Sequence, residues 1–370
     1  MMPRHARRAR EFRGRRGQRG VALIIALILV ALATVLATKL TFDGFLERRR
    51  AIGVMAAEQA LHFGLGAEAL AADALAQDQQ MSASQTTLAA PWAQPTQPLP
   101  ITPQDDPEGE PIGTLQGQVE DMQGRFNLNN LARVIQGSAA AGNGSVAGGT
   151  NTNGVIGNTG TGLGVPNNGT QGPIQDPQPL EQFQRLLIAV GLEPKWAAIA
   201  RDWIDADDIP GSPDGAEDSI YTSQTPPYRT GNWPMMSPTE LMNLPGFGAD
   251  RYRKIAPFVT ALPSATVAIN ICTAPSEVLE SLAPNLNGEY SPQVLAAGRK
   301  TGCFPDLNTF RNVVGPQALA AINGRYGSTS NYFRLTTRIT LGTTEFTLYS
   351  LLLRGNGGKI TPLLRSFGTP

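Results

Sequence analysis

Arg19-Gly20-Val21-Ala22-Leu23-Ile24-Ile25-Ala26-Leu27-Ile28-Leu29-Val30-Ala31-Leu32-Ala33-Thr34-Val35-Leu36-Ala37 joins a basic segment directly to an apolar one. Thr34 is the only polar side chain from Val21 to Ala37, and its hydroxyl can bond back to a helix carbonyl. With Thr38 to Leu40 added, the run reaches the ~20 residues that a helix needs to cross hydrocarbon with every backbone group satisfied. The rest of the chain is read relative to this membrane-spanning helix.

Upstream, residues 1–20 hold eight arginines and one glutamate, so this leader stays in the cytoplasm and the chain beyond Leu40 lies outside. A secretory signal places its small-residue cleavage site after the apolar core, whereas here Gly20 precedes it. An uncleaved signal anchor is the plain alternative. The arrangement resembles the type IV prepilin class, which implies cleavage between Gly20 and Val21 and N-methylation of Val21. Subunits of that class generally carry a glutamate at the fifth mature position, which is thought to meet the N-terminal amine of the subunit above. This chain has Ile25 there. A carboxylate left unpaired in hydrocarbon is expensive, so Ile25 suits a filament tip.

At 370 residues the chain allows a membrane helix and two folded units. Its net charge is zero, but the leader contributes +7, leaving −7 on a mature chain, which argues against nucleic acid as a partner. Cys272 and Cys303 lie far beyond the membrane helix in an oxidising compartment, where one disulfide is favoured over two buried thiols.

Residues 21–80 read as the membrane helix and its exposed continuation, proline-free and apolar at helical spacing. Pro91 to Pro111, dense in Pro, Gln and Asp, reads as a connector without regular structure, with Trp92 and Ile101 as residues that pin it to a surface. Residues 112–136 read as a strand, a turn and a short helix, with Asn127, Asn129 and Asn130 at turn and cap positions. Residues 137–172 are nearly all Gly, Asn, Ser, Thr and Ala, a composition expected to stay disordered. Residues 180–325 read as helical, with one helix over Leu180 to Asp202, another over Asp306 to Ile322, and two turn-and-helix segments between them that look like a helix-hairpin-helix module. In those, Gly246 supplies the turn and Ser237 or Thr273 the caps. Residues 330–370 alternate like paired strands over Tyr332 to Leu341 and Glu345 to Leu353 and predict an antiparallel hairpin.

Catalysis finds little support, because the two histidines, His5 and His62, lie far from the acidic residues and no Ser-His or Cys-His pair can be assembled in the outer domain. The strongest chemical signal is acidic: Asp202, Asp205, Asp207, Asp208, Asp214, Glu217 and Asp218 fall within seventeen residues. They repel one another unless solvated or neutralised, and calcium, with oxygen ligands at ~2.3–2.6 Å and tolerant geometry, would neutralise them. A solvated loop whose aspartates cap helices is the alternative. The helix-hairpin-helix pattern raises a DNA-binding or DNA-uptake module as the rival function. Against it, Glu181 to Phe310 carries a net charge of −6, and Arg251, Arg253 and Lys254 form its one basic patch.

Taken in order, Arg19-Gly20-Val21 without the glutamate, Gly124-Arg125-Phe126-Asn127-Leu128-Asn129-Asn130-Leu131, Asp202-Trp203-Ile204-Asp205, Gly215-Ala216-Glu217-Asp218 and Ser223-Gln224-Thr225-Pro226-Pro227-Tyr228-Arg229 resemble the general secretion pathway protein K family, the K-type minor pseudopilins of type II secretion. The resemblance implies an α+β fold: a pilin-like N-terminal helix packed on a small antiparallel sheet, with a large all-α insertion that binds calcium. It implies no enzymatic activity. It also implies a single-pass subunit in the bacterial inner membrane, its main domain periplasmic, processed by prepilin peptidase. That subunit would cap the pseudopilus tip with the I-type and J-type minor pseudopilins, the H-type and the major pseudopilin being further candidates. It would initiate assembly and so support export of folded proteins across the outer membrane.

Overall fold

The computed structural model describes residues 19–103, 106, 108–136, 173–211 and 213–368. The expectations for the leader before Arg19 and for the Gly/Asn-rich segment 137–172 lie outside the described residues. The chain divides into a stem that ends at His62 and a body that begins at Phe63. The stem is one helix, which starts at Arg19 and runs on into the body to Met81. Its apolar run is exposed throughout, with Val21 at 58% and Ile25 at 52%. Thr34 and Thr38 return their hydroxyls to the carbonyls of Ala31 and Thr34, so the run shows no unsatisfied hydroxyl.

In the body, the last turns of that helix lie on a five-stranded antiparallel sheet whose order follows the sequence: Leu99–Ile101, Gly113–Asp121, Tyr332–Leu341, Thr344–Arg354 and Ile360–Phe367. Strand alternation decides the buried face. Phe333 pairs with Leu352 and Leu335 with Ser350, and these four side chains are buried while their neighbours along the strands are less so. Ala71 and Leu75 of the helix pack on Phe333, Leu335, Leu352 and Trp92. The Glu68 carboxylate receives the Arg365 guanidinium in a two-bond contact at 2.7 and 2.9 Å. The predicted hairpin turns through Gly342 (φ 58°), a conformation that suits glycine.

Two expectations about this layer need correction. The Pro-rich connector holds a strand, Leu99–Ile101, and a buried Trp92 set edge-on to Phe333 at 5.3 Å. Proline is tolerated there because this is an edge strand, which can leave one N–H position unused. The C-terminal hairpin also gains a third strand, Ile360–Phe367, hidden in the sequence by Pro362 and by the register shift between Leu351 and Leu352 that breaks its alternation.

The second layer is helical and has its own core. Phe126, Leu128 and Leu131 of the Gly124–Leu131 motif leave the sheet and enter that core, where Phe126 stacks on Phe183 at 5.1 Å. The predicted Leu180–Asp202 helix is two, Pro177–Ala189 and Trp196–Asp202, because Gly191 takes φ 72° and Pro194 follows. Similarly, Leu307–Ala321 is capped by Asp306 but kinks at Gly315-Pro316. In the hairpin segments Ser237 forms a capping box with Glu240, and Gly246 takes φ 81°. Thr273 caps nothing; its hydroxyl donates to Asp121 at 2.6 Å. Cys272 and Cys303 are joined as a disulfide, tying the Ile269–Asn270 strand region to the start of the last helix.

The asparagines of the motif do more than turn the chain. Asn127 caps the Asn129 N–H and also accepts from Leu262 N, while Asn129 donates to the carbonyls of Met235 and Leu262. Asn130 exchanges two bonds with the Val267 backbone. Buried backbone groups of a distant loop are thus satisfied by one short segment.

Candidate metal centre

The acidic loop begins where the Trp196–Asp202 helix ends and closes at the short Asp218–Tyr221 helix. Of the seven predicted carboxylates the structure gathers three: ligand oxygens of Asp202, Asp205 and Glu217 all lie within 4.8 Å of one another. Asp202 is fully buried; its Oδ2 accepts from Gly211 N at 2.9 Å and Ala216 N at 2.8 Å, which folds the loop back over it. Gly215 sits so tightly that a Cβ there would run into Gly211 N and Asp202 Oδ2. Gln175 donates to Asp205 Oδ2 at 2.8 Å, bringing a residue 30 positions upstream into the site.

The remaining oxygens are orphans. Asp202 Oδ1, Asp205 Oδ1 and both Glu217 oxygens are buried with no hydrogen-bond partner among the described residues. Burial pushes Asp205 up to about 6, against the Gln175 bond and helped by Asp207 and Asp202. Burial again, then the negative charges of Asp202, Asp205, Asp207 and Asp208, push Glu217 up to about 7. Burial likewise raises Asp202. Three converging carboxylates with unpartnered buried oxygens are costly unless a positive charge sits among them. Donors made only of oxygen fit a hard cation such as calcium.

The other four carboxylates stand elsewhere. Asp207 and Asp208 are exposed at the rim, Asp207 accepting from Ile209 N and Asp208 from Asn232 Nδ2. Asp214 is exposed. Asp218 turns away: Thr230 N and Oγ1 donate to it at 3.1 and 2.9 Å and Arg229 pairs with it at 3.2 Å, so these bonds hold its carboxyl below the usual range. Sequence reasoning missed Gln175 and Asn232. The Asn232 Oδ1 is another buried acceptor without a partner, on a residue held at φ 44°. Asn-Trp-Pro after a glycine was a turn signal there, but its partner Asp208 lies 24 residues away.

The basic patch of Arg251, Arg253 and Lys254 is largely committed. Arg251 donates to the carbonyls of Gly246 and Phe247 and lies over the Trp196 ring, and Arg253 pairs with Asp250.

A second buried acid lies apart from this site. Asp121 accepts from Gln123 N (2.8 Å), Asn270 Nδ2 (2.9 Å), Thr273 Oγ1 (2.6 Å) and Ser330 Oγ (2.6 Å). Burial raises it, and the four donors pull the other way. Beside it Arg354 donates to Ser330 O and Thr86 Oγ1 and pairs with Asp78 at 3.3 Å.

Comparison with known proteins places these features. Residues 124–264 match the family model described as "Type II secretion system (T2SS), protein K". The chain is 30% identical over 357 residues to the type II secretion system protein K of Pseudomonas aeruginosa, covering 94% of this chain and 92% of that one. It is 29% identical to the protein of that name from Aeromonas hydrophila, covering 94% and 96%. Among solved structures, a chain from the GspK-GspI-GspJ complex of enterotoxigenic Escherichia coli superposes with a TM-score of 0.66 at 23% identity, covering 87% of this chain and all of that one.

Proposed function

The chain belongs to the type II secretion system protein K family, and from that premise we propose that it is a non-enzymatic minor pseudopilin that caps the pseudopilus tip and initiates its assembly. The observation that carries this reading is the stem: a helix apolar from Val21 to Ala37, exposed on every side, with Ile25 in place of an acid. Cut after Gly20 and methylated at Val21, the stem would rest in the inner membrane with the body in the periplasm, then pack among neighbouring stems in the filament. A carboxylate at position 25 would need an amine from a subunit above; an isoleucine needs none. The bulk of the helical layer, appended to the sheet that other subunits would stack on, also supports the terminal position. The named assembly of the solved relative supports I-type and J-type pseudopilins as partners, and through the tip the subunit would serve export of folded proteins.

Asp202, Asp205 and Glu217 would hold calcium. The ion would supply the positive charge that their unpartnered oxygens lack, and the loop from Gly211 to Ala216, already clasped by Asp202, would be locked around it.

Leader processing is the direct test. The mature chain should be shorter by the twenty leader residues, with Val21 as its first residue, and Gly20→Leu should abolish the change. A secretion-competent cell in which this chain retains Met1 would overturn the reading. Co-purification with I-type and J-type pseudopilins, lost on Ile25→Glu, would support the tip position.

A further inference from the structure

Among the described residues, Arg48, Arg49 and Arg50 make no ion pair in the fold. All three are exposed, and among the described residues none has an acidic side chain within 4.0 Å. They also stand on the side of the membrane where cations oppose insertion, so topology gives no account of them.

Helix geometry sets their depth. The twenty residues from Val21 to Leu40 rise about 30 Å, the thickness of the hydrocarbon layer. Phe42 and Phe45 come next, 59% and 51% exposed, just past the end of the apolar run. The arginines begin about 12 Å beyond Leu40 along the axis. Side chains on a helix lean toward its N-terminus, here toward the bilayer. Arg49 does so: its guanidinium carbon lies 4.8 Å from the centre of the Phe45 ring, four residues back. Long cationic side chains that reach back in this way arrive at the headgroup layer. Successive residues on a helix turn by about 100°, so the three guanidinium groups fan out and can meet more than one phosphate. Asp43 and Glu47 are the acids of this stretch, and with Lys39 included it keeps a net charge of +2.

We propose that Arg48, Arg49 and Arg50 form a phosphate-binding collar for anionic phospholipid headgroups where the stem leaves the bilayer. The collar fixes the depth of the unassembled subunit and must be released when the stem is drawn into a filament. This inference rests on the reading of Val21 to Leu40 as a membrane anchor. The test uses the full chain. Membranes are first washed with alkaline carbonate, and the retained protein is then placed in nanodiscs of mixed phosphatidylcholine and phosphatidylglycerol. Native mass spectrometry counts the lipids that leave with it. Wild type should carry phosphatidylglycerol in excess of its share, and R48Q/R49Q/R50Q should lose that excess, because three surface cations together change affinity by roughly a hundredfold. The triple lysine variant should keep the excess, since a phosphate accepts a point charge. Equal phosphatidylglycerol on wild type and glutamine variant would overturn the collar. So would a glutamine variant that keeps the lipid but no longer co-purifies with other pseudopilins, because the arginines would then serve a protein face. Loss of wild type in the carbonate wash would overturn the anchor reading and the collar with it.

Discussion

Asp121 and the Asp202–Asp205–Glu217 cluster are both acid sites sunk in the body, and they are built in opposite ways. Asp121 is surrounded by four donors drawn from Gln123, Asn270, Thr273 and Ser330. The cluster presents four carboxylate oxygens with no donor among the described residues. A buried carboxylate whose lone pairs are all engaged is a structural joint, complete as it stands. One whose oxygens converge without donors carries a desolvation cost that only a positive charge would offset. Burial raises both sites, so the difference lies in the hydrogen bonds and not in depth.

The sharpest way to break this contrast is to truncate the satisfied acid. Asp121→Ala strands four donors and should cost about 3–5 kcal/mol in urea unfolding followed by tryptophan fluorescence, with the same loss in calcium and in chelator. If calcium rescued that variant, the two sites would be one system. Next, chelating calcium from the wild type should remove about 2.7 kcal/mol when the free ion had stood at a hundred times its dissociation constant; an unchanged midpoint would leave the cluster without its cation. A change of sign refines the comparison further. Glu217→Gln should raise the stability of the chelated protein by about 1 kcal/mol, since it removes a repelled charge, while abolishing the calcium gain. Asp121→Asn should lower stability under both conditions. Smallest is Glu68→Gln, expected to cost less than about 1 kcal/mol at neutral pH because Arg365 is partly exposed. The Arg365 hydrogen bond holds Glu68 below its usual range, so the stabilisation is present at neutral pH and lost as pH falls through that lowered value. An acid titration of wild type against Glu68→Gln should therefore converge at low pH.

How far these sites could be read in advance follows from where their partners lie. Asp202 and Asp205 stand three residues apart at a helix end, and Glu217 closes the same loop, so local spacing revealed them. Asp218 looked equivalent, but Thr230 claims it, and nothing in the sequence links the two. Asp121 drew no attention because its partners Asn270 and Ser330 are 149 and 209 residues away. The fold shows the same division. The stem and the Tyr332–Leu341 and Thr344–Arg354 strands announced themselves through apolar run length and alternation. The edge strands Leu99–Ile101 and Ile360–Phe367 did not, because a proline in each erases the pattern that packing restores. Asn127, Asn129 and Asn130 were legible as turn residues, yet the same side chains also reach across to the 235–267 region.

The long reach of Asp121 has a consequence for how the molecule is made. Ser330 and Arg354 emerge from the ribosome some two hundred residues after Asp121, and until they do this carboxylate waits without its final partners. The interleaved middle of the polypeptide therefore cannot lock while synthesis is under way, and a nascent chain must stay open, and vulnerable to proteases, until its last strands arrive.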